Sequence, residues 1–421
     1  MRIKTMMFGS SAKWSAPVAI ALSIFYYYGS GVSREAFGYA PTLVSSALGT
    51  MYAAAYAFAS ALAVWESARL RKAGVWTMAP VRSRYRVTWN GIVPVLISAW
   101  IMLVLPVTIA LGSAGALPIP ASLGPLAMAM LLCVAHATIG FGIGLVAPPV
   151  IAAPLMAVIV WVLVAFSWST DAFWMRHVSG QYPTTLMFGE AATYRSLLPH
   201  LLLTGGIAAA VVLLWLPLRY WLVRGALAAA VAVMCPVLAV QAVRGWEANP
   251  PLLAGQAPMD CAGGTPKVCV PQASPADVAA VSKEATSVLA DLHDAGFTGT
   301  PELIVDRLGD GRYPPPSTAN TWRVGITSGT RDGELRYRIT QAAVQFPCLR
   351  VDPVHGNEVM LWAATVTGEE STYNAHMKQR GRTFAGEKQV RRTVRRILAS
   401  EPSEQGKWYR QSLSAGCRQS S

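Results

Sequence analysis

The feature that most constrains this chain is residues 87–170, which contain no Asp, Glu, Lys or Arg. An uncharged apolar stretch of that length has no place in an ordinary soluble domain, whereas a bilayer core about 30 Å thick takes roughly 20 apolar residues per helix. Apolar runs continue from Trp14 to Val243, and from Trp246 to Ser421 the sequence is typical of a water-soluble domain. The sequence therefore predicts a polytopic α-helical membrane protein, residues 1–245, with a second domain, residues 246–421.

The composition supports a membrane protein and argues against a nucleic-acid partner. The chain of 421 residues is 53% hydrophobic and 14% charged, with a mean hydropathy of +0.37, which is too apolar for a soluble enzyme of this size. Its net charge of +13 is uneven, with 15 Lys and Arg against 5 Asp and Glu up to Ala248, and 20 against 17 after it. The excess lies in the short loops of the membrane half, where basic residues orient helices.

Seven apolar runs are long enough to be spans. They cover about residues 14–29, 42–65, 91–111, 121–146, 150–168, 197–218 and 225–243. The first resembles a signal peptide in its basic start. However, Tyr26, Tyr27 and Tyr28 end it like an interfacial aromatic belt, and no clear small-x-small cleavage site follows. We therefore expect it to be retained as a helix.

The basic residues predict the orientation of these spans. With the N-terminus in the cytoplasm, the inner side holds eleven of them: Arg2, Lys4, Lys13, Arg69, Arg71, Lys72, Arg82, Arg84, Arg86, Arg219 and Arg224. The outer loops hold four, matched by four acidic residues: Arg34, Arg176, Arg195, Arg244, Glu35, Asp171, Glu190 and Glu247. The turn at 147–149, between spans four and five, carries no charge, so the distribution of basic residues gives no orientation there. Seven spans in the cytoplasmic membrane place the last domain outside the cytoplasm.

Cysteine usage supports an exported C-terminal domain. Cys133 and Cys235 lie inside spans and are typical of buried apolar residues. The other four, Cys261, Cys269, Cys348 and Cys417, all follow residue 245, and an even number of thiols favours disulfides. Four cysteines allow three pairings. The short Gly- and Pro-containing loop favours Cys261–Cys269, which leaves Cys348–Cys417. A zinc site is the alternative, but neither CxxC nor HxxxH spacing is present.

The C-terminal domain is predicted to be mixed α+β. A helix should begin with Ser274 as N-cap, continue through a capping box at Asp277 and stop at Gly296. Residues 302–306 and 321–327 are predicted strands, and residues 333–346 are ambiguous between strand and helix. Residues 357–367 and 389–400 are predicted helices, and a last helix should end near Cys417.

No motif for covalent chemistry is present, so the chain is not expected to be an enzyme or to hold a metal or cofactor. It contains no HExxH, GxSxG or GxxxxGK[ST] sequence. Four arginines, Arg391, Arg392, Arg395 and Arg396, share one face of a predicted helix. Such a face binds anionic lipid headgroups or an acidic partner, or is simply solvated.

Residues 63–84 resemble the loop after the second span in permease subunits of type-2 ABC exporters. Glu66 ends that span, basic residues follow, and Gly74 precedes a small-Pro-x-Arg step at 79–82. The resemblance extends over about residues 1–224, with six spans and a larger outer loop at 169–196. It implies that this loop docks on a separate ATP-binding subunit, which would hold ATP and Mg. The implied coupling residues are Glu66, Arg69, Arg71, Lys72, Pro80, Arg82, Arg84 and Arg86.

The resemblance further implies a homodimer, or a heterodimer with a second permease, that exports a peptide, lipid or amphipathic compound. The seventh span and the outer domain depart from the family, although the fusion is similar to actinobacterial permeases with an appended domain. The outer domain would capture or gate the substrate. Two alternatives stay open, a non-transporting membrane receptor or assembly factor, and a membrane-bound enzyme without a recognisable motif.

Overall fold

The computed structural model describes residues 9–29, 38–78, 83–215, 220–348, 350–379 and 386–417. Seven residues used in the predictions above, Arg2, Lys4, Arg34, Glu35, Pro80, Arg82 and Arg219, lie outside them. The chain divides into two compact units, Met1–Leu253 and Ala254–Ser421.

The described part of the first unit is built from helices. These are α1 (Ala12–Gly29), α2 (Ala40–Gly49), α3 (Tyr52–Lys72), α4 (Arg84–Ser113), α5 (Pro120–Val146), α6 (Pro149–Ala165, with a 3-10 turn Phe166–Ser169), α7 (Phe173–Arg176), α8 (Tyr194–Leu213) and α9 (Trp221–Val243). A short ribbon pairs β1 (Ala191–Ala192) with β2 (Leu252–Leu253) in antiparallel fashion.

Within the described residues, five helices are long and apolar enough to cross a membrane: α4, α5, α6 with its 3-10 turn, α8 and α9. A sixth span results if α2 and α3, bent by 53° at a short break, count as one. The described helices therefore fit the predicted helical membrane protein. The 18-residue helix α1 is not among these spans, because Lys13, Pro17 and three tyrosines lower its hydropathy. The total of seven spans stays a prediction.

Helices α3 and α5 are packed backbone against backbone through two glycines spaced four residues apart. A Cβ atom at Gly140 would lie 2.2 Å from the Ser60 carbonyl oxygen, and one at Gly144 would lie 2.4 Å from that of Val64. Membrane helices lack a hydrophobic driving force toward each other, so small residues that let two backbones approach are the main source of their packing energy. This contact is therefore the centre of the bundle.

The second unit combines a four-stranded sheet with seven helices within the described residues. They are β3 (Met259–Ala262), β4 (Lys267–Pro271), α10 (Val278–Asp294), β5 (Leu303–Asp306), β6 (Thr321–Val324), α11 (Ile326–Asp332), α12 (Leu335–Ala343), α13 (Pro353–Val366), α14 (Glu370–Gln379), α15 (Glu387–Leu398) and α16 (Pro402–Ala415). The strand order is β3-β4-β5-β6, in which β3 is antiparallel to β4 and the other pairs are parallel.

The α+β architecture of this unit agrees with the sequence prediction, with one local correction at the start of α10. The N-cap of α10 is Asp277, whose side chain accepts from the Ala279 N–H at 2.9 Å. Ser274 instead contacts Thr327, so it does not begin the helix. Residues 333–346, which were ambiguous, contain α12. The predicted stop at Gly296 is confirmed, since this residue has φ +85° and follows the helix directly.

Candidate functional site

The last two turns of α3 carry four of the predicted coupling residues, and one of them is buried. The Glu66 side chain is 0% exposed. Its Oε1 accepts a hydrogen bond from the Ser11 backbone N–H at 2.6 Å, and its Oε2 pairs with Arg69 at 2.6 Å. Arg69 also donates to the Gly9 carbonyl. Because Ser11 directly precedes α1, the carboxylate stabilises the N–H end of that helix. Glu66 therefore joins α1 to α3, and its carboxylate is not exposed at the surface of the unit.

Arg71 joins the same helix to α5. Its Nη1 donates to the Leu145 carbonyl at 2.8 Å, and its Nη2 donates to the Ala147 carbonyl at 3.0 Å. These carbonyls belong to the C-terminal end of α5, which lacks intrahelical donors and carries partial negative charge. A single guanidinium thus holds the ends of α3 and α5 together.

The remaining cations of this region form an exposed group, which we call the basic surface: Lys72, Arg84 and Arg86. The segment between the second and third predicted spans is largely helical, because α3 continues to Lys72 and α4 begins at Arg84. Three basic residues in the last turn of α3 favour its extension through the helix dipole. The structure therefore places the coupling residues on two helix ends, with Pro80 and Arg82 outside the described residues.

The first unit is called the membrane unit below. At its end opposite to the basic surface, residues 177–190 insert among the helices. We call them the inserted segment. Its Leu186 is fully buried, and the Leu186 N–H donates to Ser45 Oγ of α2 at 3.0 Å. Tyr56 of α3 donates to the Gly180 carbonyl at 2.9 Å, and the Gly180 N–H donates to His200 Nδ1 of α8 at 3.1 Å. The segment therefore contacts both halves of the broken helix and α8 together.

Two histidines of the membrane unit lie around this segment. His200 is fixed by Gly180, and the His136 ring stacks on Tyr56 with centroids 5.0 Å apart. Both side chains are buried, and among the described residues the Nε2 atom of each has no hydrogen-bond partner. A buried polar group without a partner costs free energy, and ionisable residues at membrane depth are functional candidates. The sequence gave no signal for the segment that joins them.

The linker after α9 is attached to the region around the inserted segment. His177 Nε2 lies 2.7 Å from the Glu247 carbonyl oxygen, and Thr193 Oγ1 donates to the Pro251 carbonyl at 3.0 Å. The β1–β2 ribbon continues this attachment to Leu253. Burial lowers the pKa of His177, so its neutral form is favoured at neutral pH. These contacts explain why the first unit extends to Leu253.

The C-terminal unit contains both of the disulfides favoured by the sequence. Cys261–Cys269 joins residues that face each other on β3 and β4. Cys348–Cys417 joins the loop after α12 to the end of α16, across a sequence separation of 69 residues. The longer link connects the chain end to the core of the unit.

Removing the Cys348–Cys417 link is expected to destabilise the C-terminal unit more than removing Cys261–Cys269. Loop-closure entropy gives about 4 kcal/mol for the long loop and about 2.5 kcal/mol for the short one. Pulse proteolysis in urea of the full-length chain, comparing the two double Cys→Ser variants, measures the difference. Equal midpoints for both variants would contradict this prediction.

Asp306 ends β5 at the carboxyl edge of the parallel strands, where α/β proteins usually place ligands. Here its carboxylate accepts hydrogen bonds from the Leu308, Ile326 and Thr327 N–H groups and from the Thr327 hydroxyl. Burial raises the pKa of Asp306, while these hydrogen bonds oppose the rise. The residue therefore caps α11 and has no free oxygen for a ligand.

A cavity of about 280 Å³ lies between the loop after α10, β6 and α16. Three aromatic residues line it, Phe297, Trp322 and Tyr409, with the exposed Arg410 beside them. The Tyr409 hydroxyl donates to the Ala343 carbonyl at 2.8 Å, so the ring is fixed. Apolar walls with one convergent cation are typical of sites for small amphipathic molecules.

The predicted arginine face on α15 is smaller than expected. Arg391 is engaged by Glu387, Glu370 and Asn374. Arg392, Arg395 and Arg396 are exposed. Three cations on a solvated helix face therefore remain for a partner.

Comparisons with known proteins extend only to the C-terminal unit. A family model described as a domain of unknown function, DUF7224, matches residues 268–416. No curated protein and no solved structure matches the chain. In the part of the chain that the structure describes, no three His, Cys, Asp or Glu side chains are grouped so that they could hold a metal ion. The matched residues contain the aromatic cavity and most of the sheet.

Proposed function

We propose that this protein is the permease subunit of an ATP-driven exporter and that a separate ATP-binding subunit docks on its basic surface. The observation that carries the proposal is the attachment of the end of α3, which contributes Lys72 to that surface, to two further helices. Glu66 and Arg69 join the end of α3 to the start of α1, and Arg71 joins it to α5. A coupling surface must transmit the displacement of its partner to the spans, and charge-assisted hydrogen bonds are suited to this.

The broken helix α2–α3 and the inserted segment support a transport route through the same bundle. Interrupted helices expose backbone groups that are tolerated at membrane depth only where protein or a cavity surrounds them. Transporters commonly place substrate sites at such breaks. The buried histidines beside the break would offer hydrogen bonds to an uncharged or amphipathic substrate, such as a peptide or a lipid.

The C-terminal unit would receive or capture that substrate through its aromatic cavity. This role requires the unit to be extracytoplasmic, which the distribution of basic residues and the two disulfides support. Dimerisation, with a second copy or a second permease, completes the proposed transporter.

The orientation can be tested with single cysteines and a membrane-impermeant thiol reagent on intact cells. Ser403 and Thr77 are both exposed, on α16 and after α3 respectively. We expect Ser403→Cys to be labelled from outside and Thr77→Cys only after lysis. The native thiols do not interfere, because Cys133 is buried in the bundle and four others are in disulfides, and a Cys235→Ser background removes the sixth. Labelling of Ser403→Cys only after lysis would contradict the seven-span topology.

The decisive experiment is reconstitution with an ATP-binding subunit encoded beside this chain. The complex is expected to co-purify and to hydrolyse ATP faster in liposomes than the ATP-binding subunit alone. If no such subunit is encoded nearby, or none is recruited, the exporter proposal fails. A membrane receptor is then the second candidate, which the cavity in the C-terminal unit favours because it does not depend on ATP hydrolysis.

A further inference from the structure

A second cavity, of about 120 Å³, lies at the basic end of the membrane unit. It is lined by Trp76, Arg84, Leu145 and Trp215. Each of these residues lies at the end of a different helix, since Trp76 follows α3, Arg84 begins α4, Leu145 is in the last turn of α5 and Trp215 follows α8. The cavity is therefore at the level where four helices leave the apolar part of the bundle.

The aromatic walls of this cavity are fixed by packing. The Trp76 ring meets Phe141 edge to face with centroids 6.4 Å apart, and Phe141 meets Trp215 in the same way at 5.9 Å. Phe141 itself is fully buried in the bundle. Because one buried ring supports both tryptophans, the aromatic walls of the cavity are held in place.

The lining of the cavity favours an anion. The Trp76 Nε1–H is buried and, among the described residues, has no hydrogen-bond partner. A buried donor without an acceptor is unfavourable, and a bound acceptor would relieve this cost. Arg84 contributes a cation, and the described residues that line the cavity include no carboxylate.

We propose that this cavity binds the phosphate of an anionic phospholipid. Arg84 and the Trp76 N–H would contact the phosphate oxygens, since guanidinium groups bind phosphate with paired hydrogen bonds. Basic pockets between spans at the cytoplasmic side are suited to lipid headgroups. Val146, Val150 and Ile151, which follow Leu145 along the chain, are 66–82% exposed. They offer the acyl chains an apolar surface that a free phosphate would not use.

The test uses the full-length chain alone, so it does not depend on the ATP-binding subunit. Native mass spectrometry of the detergent-solubilised protein measures binding of phosphatidylglycerol against phosphatidylcholine. We expect a preference for phosphatidylglycerol that falls roughly fivefold in Arg84→Gln, since one cation near a lipid surface contributes about 1 kcal/mol. Trp76→Phe keeps the ring and removes the donor, and should also lower this preference. Arg86→Gln is the matched control, because it removes an exposed cation two residues away that does not line the cavity.

Three results would overturn the proposal. One is equal binding of the two lipids by wild type, which would leave the cavity to an acidic side chain of a partner protein. Another is an equal loss in Arg84→Gln and Arg86→Gln, which would indicate general attraction by the basic surface. The third is full displacement of the lipid by glycerol 3-phosphate at similar concentration, which would show that the apolar walls contribute nothing.

Discussion

Reversing the charges at Lys72 and Arg86 together is expected to abolish recruitment of the ATP-binding subunit while the bundle stays folded. Both side chains are exposed at the ends of α3 and α4. Close charge pairs across an interface contribute about 1.5–7 kcal/mol, and like charges disfavour binding. We therefore expect Lys72→Glu with Arg86→Glu to weaken binding by at least roughly a hundredfold. Co-purification and ATP turnover in liposomes measure the effect, and size-exclusion chromatography checks the fold.

The matched control for this variant is Arg244→Glu, which reverses an exposed cation after α9 that the predicted topology places outside. It should co-purify as wild type does. Normal recruitment by the double variant, or an equal loss in Arg244→Glu, would contradict docking at the basic surface. Glu66→Lys is not a suitable probe of docking, although the predicted place of Glu66 among the coupling residues suggests it. The buried carboxylate caps α1, so a lysine there would leave an unpaired buried charge beside Arg69 and destabilise the unit.

The second large effect concerns the contact between α3 and α5. Gly140→Ala with Gly144→Ala adds only two methyl groups, yet each would lie under 2.5 Å from a carbonyl oxygen of α3. The helices must separate to admit them, and overpacking costs roughly 1–3 kcal/mol per site. We expect a clearly lower melting temperature in detergent, measured by fluorescence-detected size-exclusion chromatography after heating.

Gly205→Ala in α8 is the matched control, since a Cβ atom at that position has no heavy atom within 4 Å. It should leave the melting temperature unchanged or raise it slightly, because alanine favours a helix by about 1 kcal/mol over glycine. Stability of the double variant equal to that of the control would show that the α3–α5 contact is looser than described.

Most of the membrane helices could be predicted because residues 87–170 allow no alternative to burial in lipid. The disulfides could be predicted because only a few pairings were open. The break between α2 and α3 could not, since Gly49 and Thr50 are only a short interruption within an apolar run and do not by themselves predict a bend. The burial of Glu66 could not be predicted either. Its partner Ser11 is 55 residues away, and sequence periodicity carries no information on such contacts.

The C-terminal sheet was only partly predictable for a similar reason. β5 and β6 contain short apolar runs, which predicted them as strands. β3 and β4 flank a turn, and the sequence predicted only the pairing of their cysteines. The parallel order of β4, β5 and β6 depends on the path of α10 over the sheet. Local composition does not determine that path.

The linker that follows α9 is held against the first unit and is not a loose tether. Glu247, Pro251 and the residues of β2 are each bonded to residues 177–193, so the linker is attached to the first unit as far as Leu253. A force applied to the chain at Leu253 would have to break all three of these contacts before the linker could extend. Such a pull would instead be delivered to the segment that holds Tyr56 and His200. The linker and the broken helix are thereby mechanically connected within the first unit.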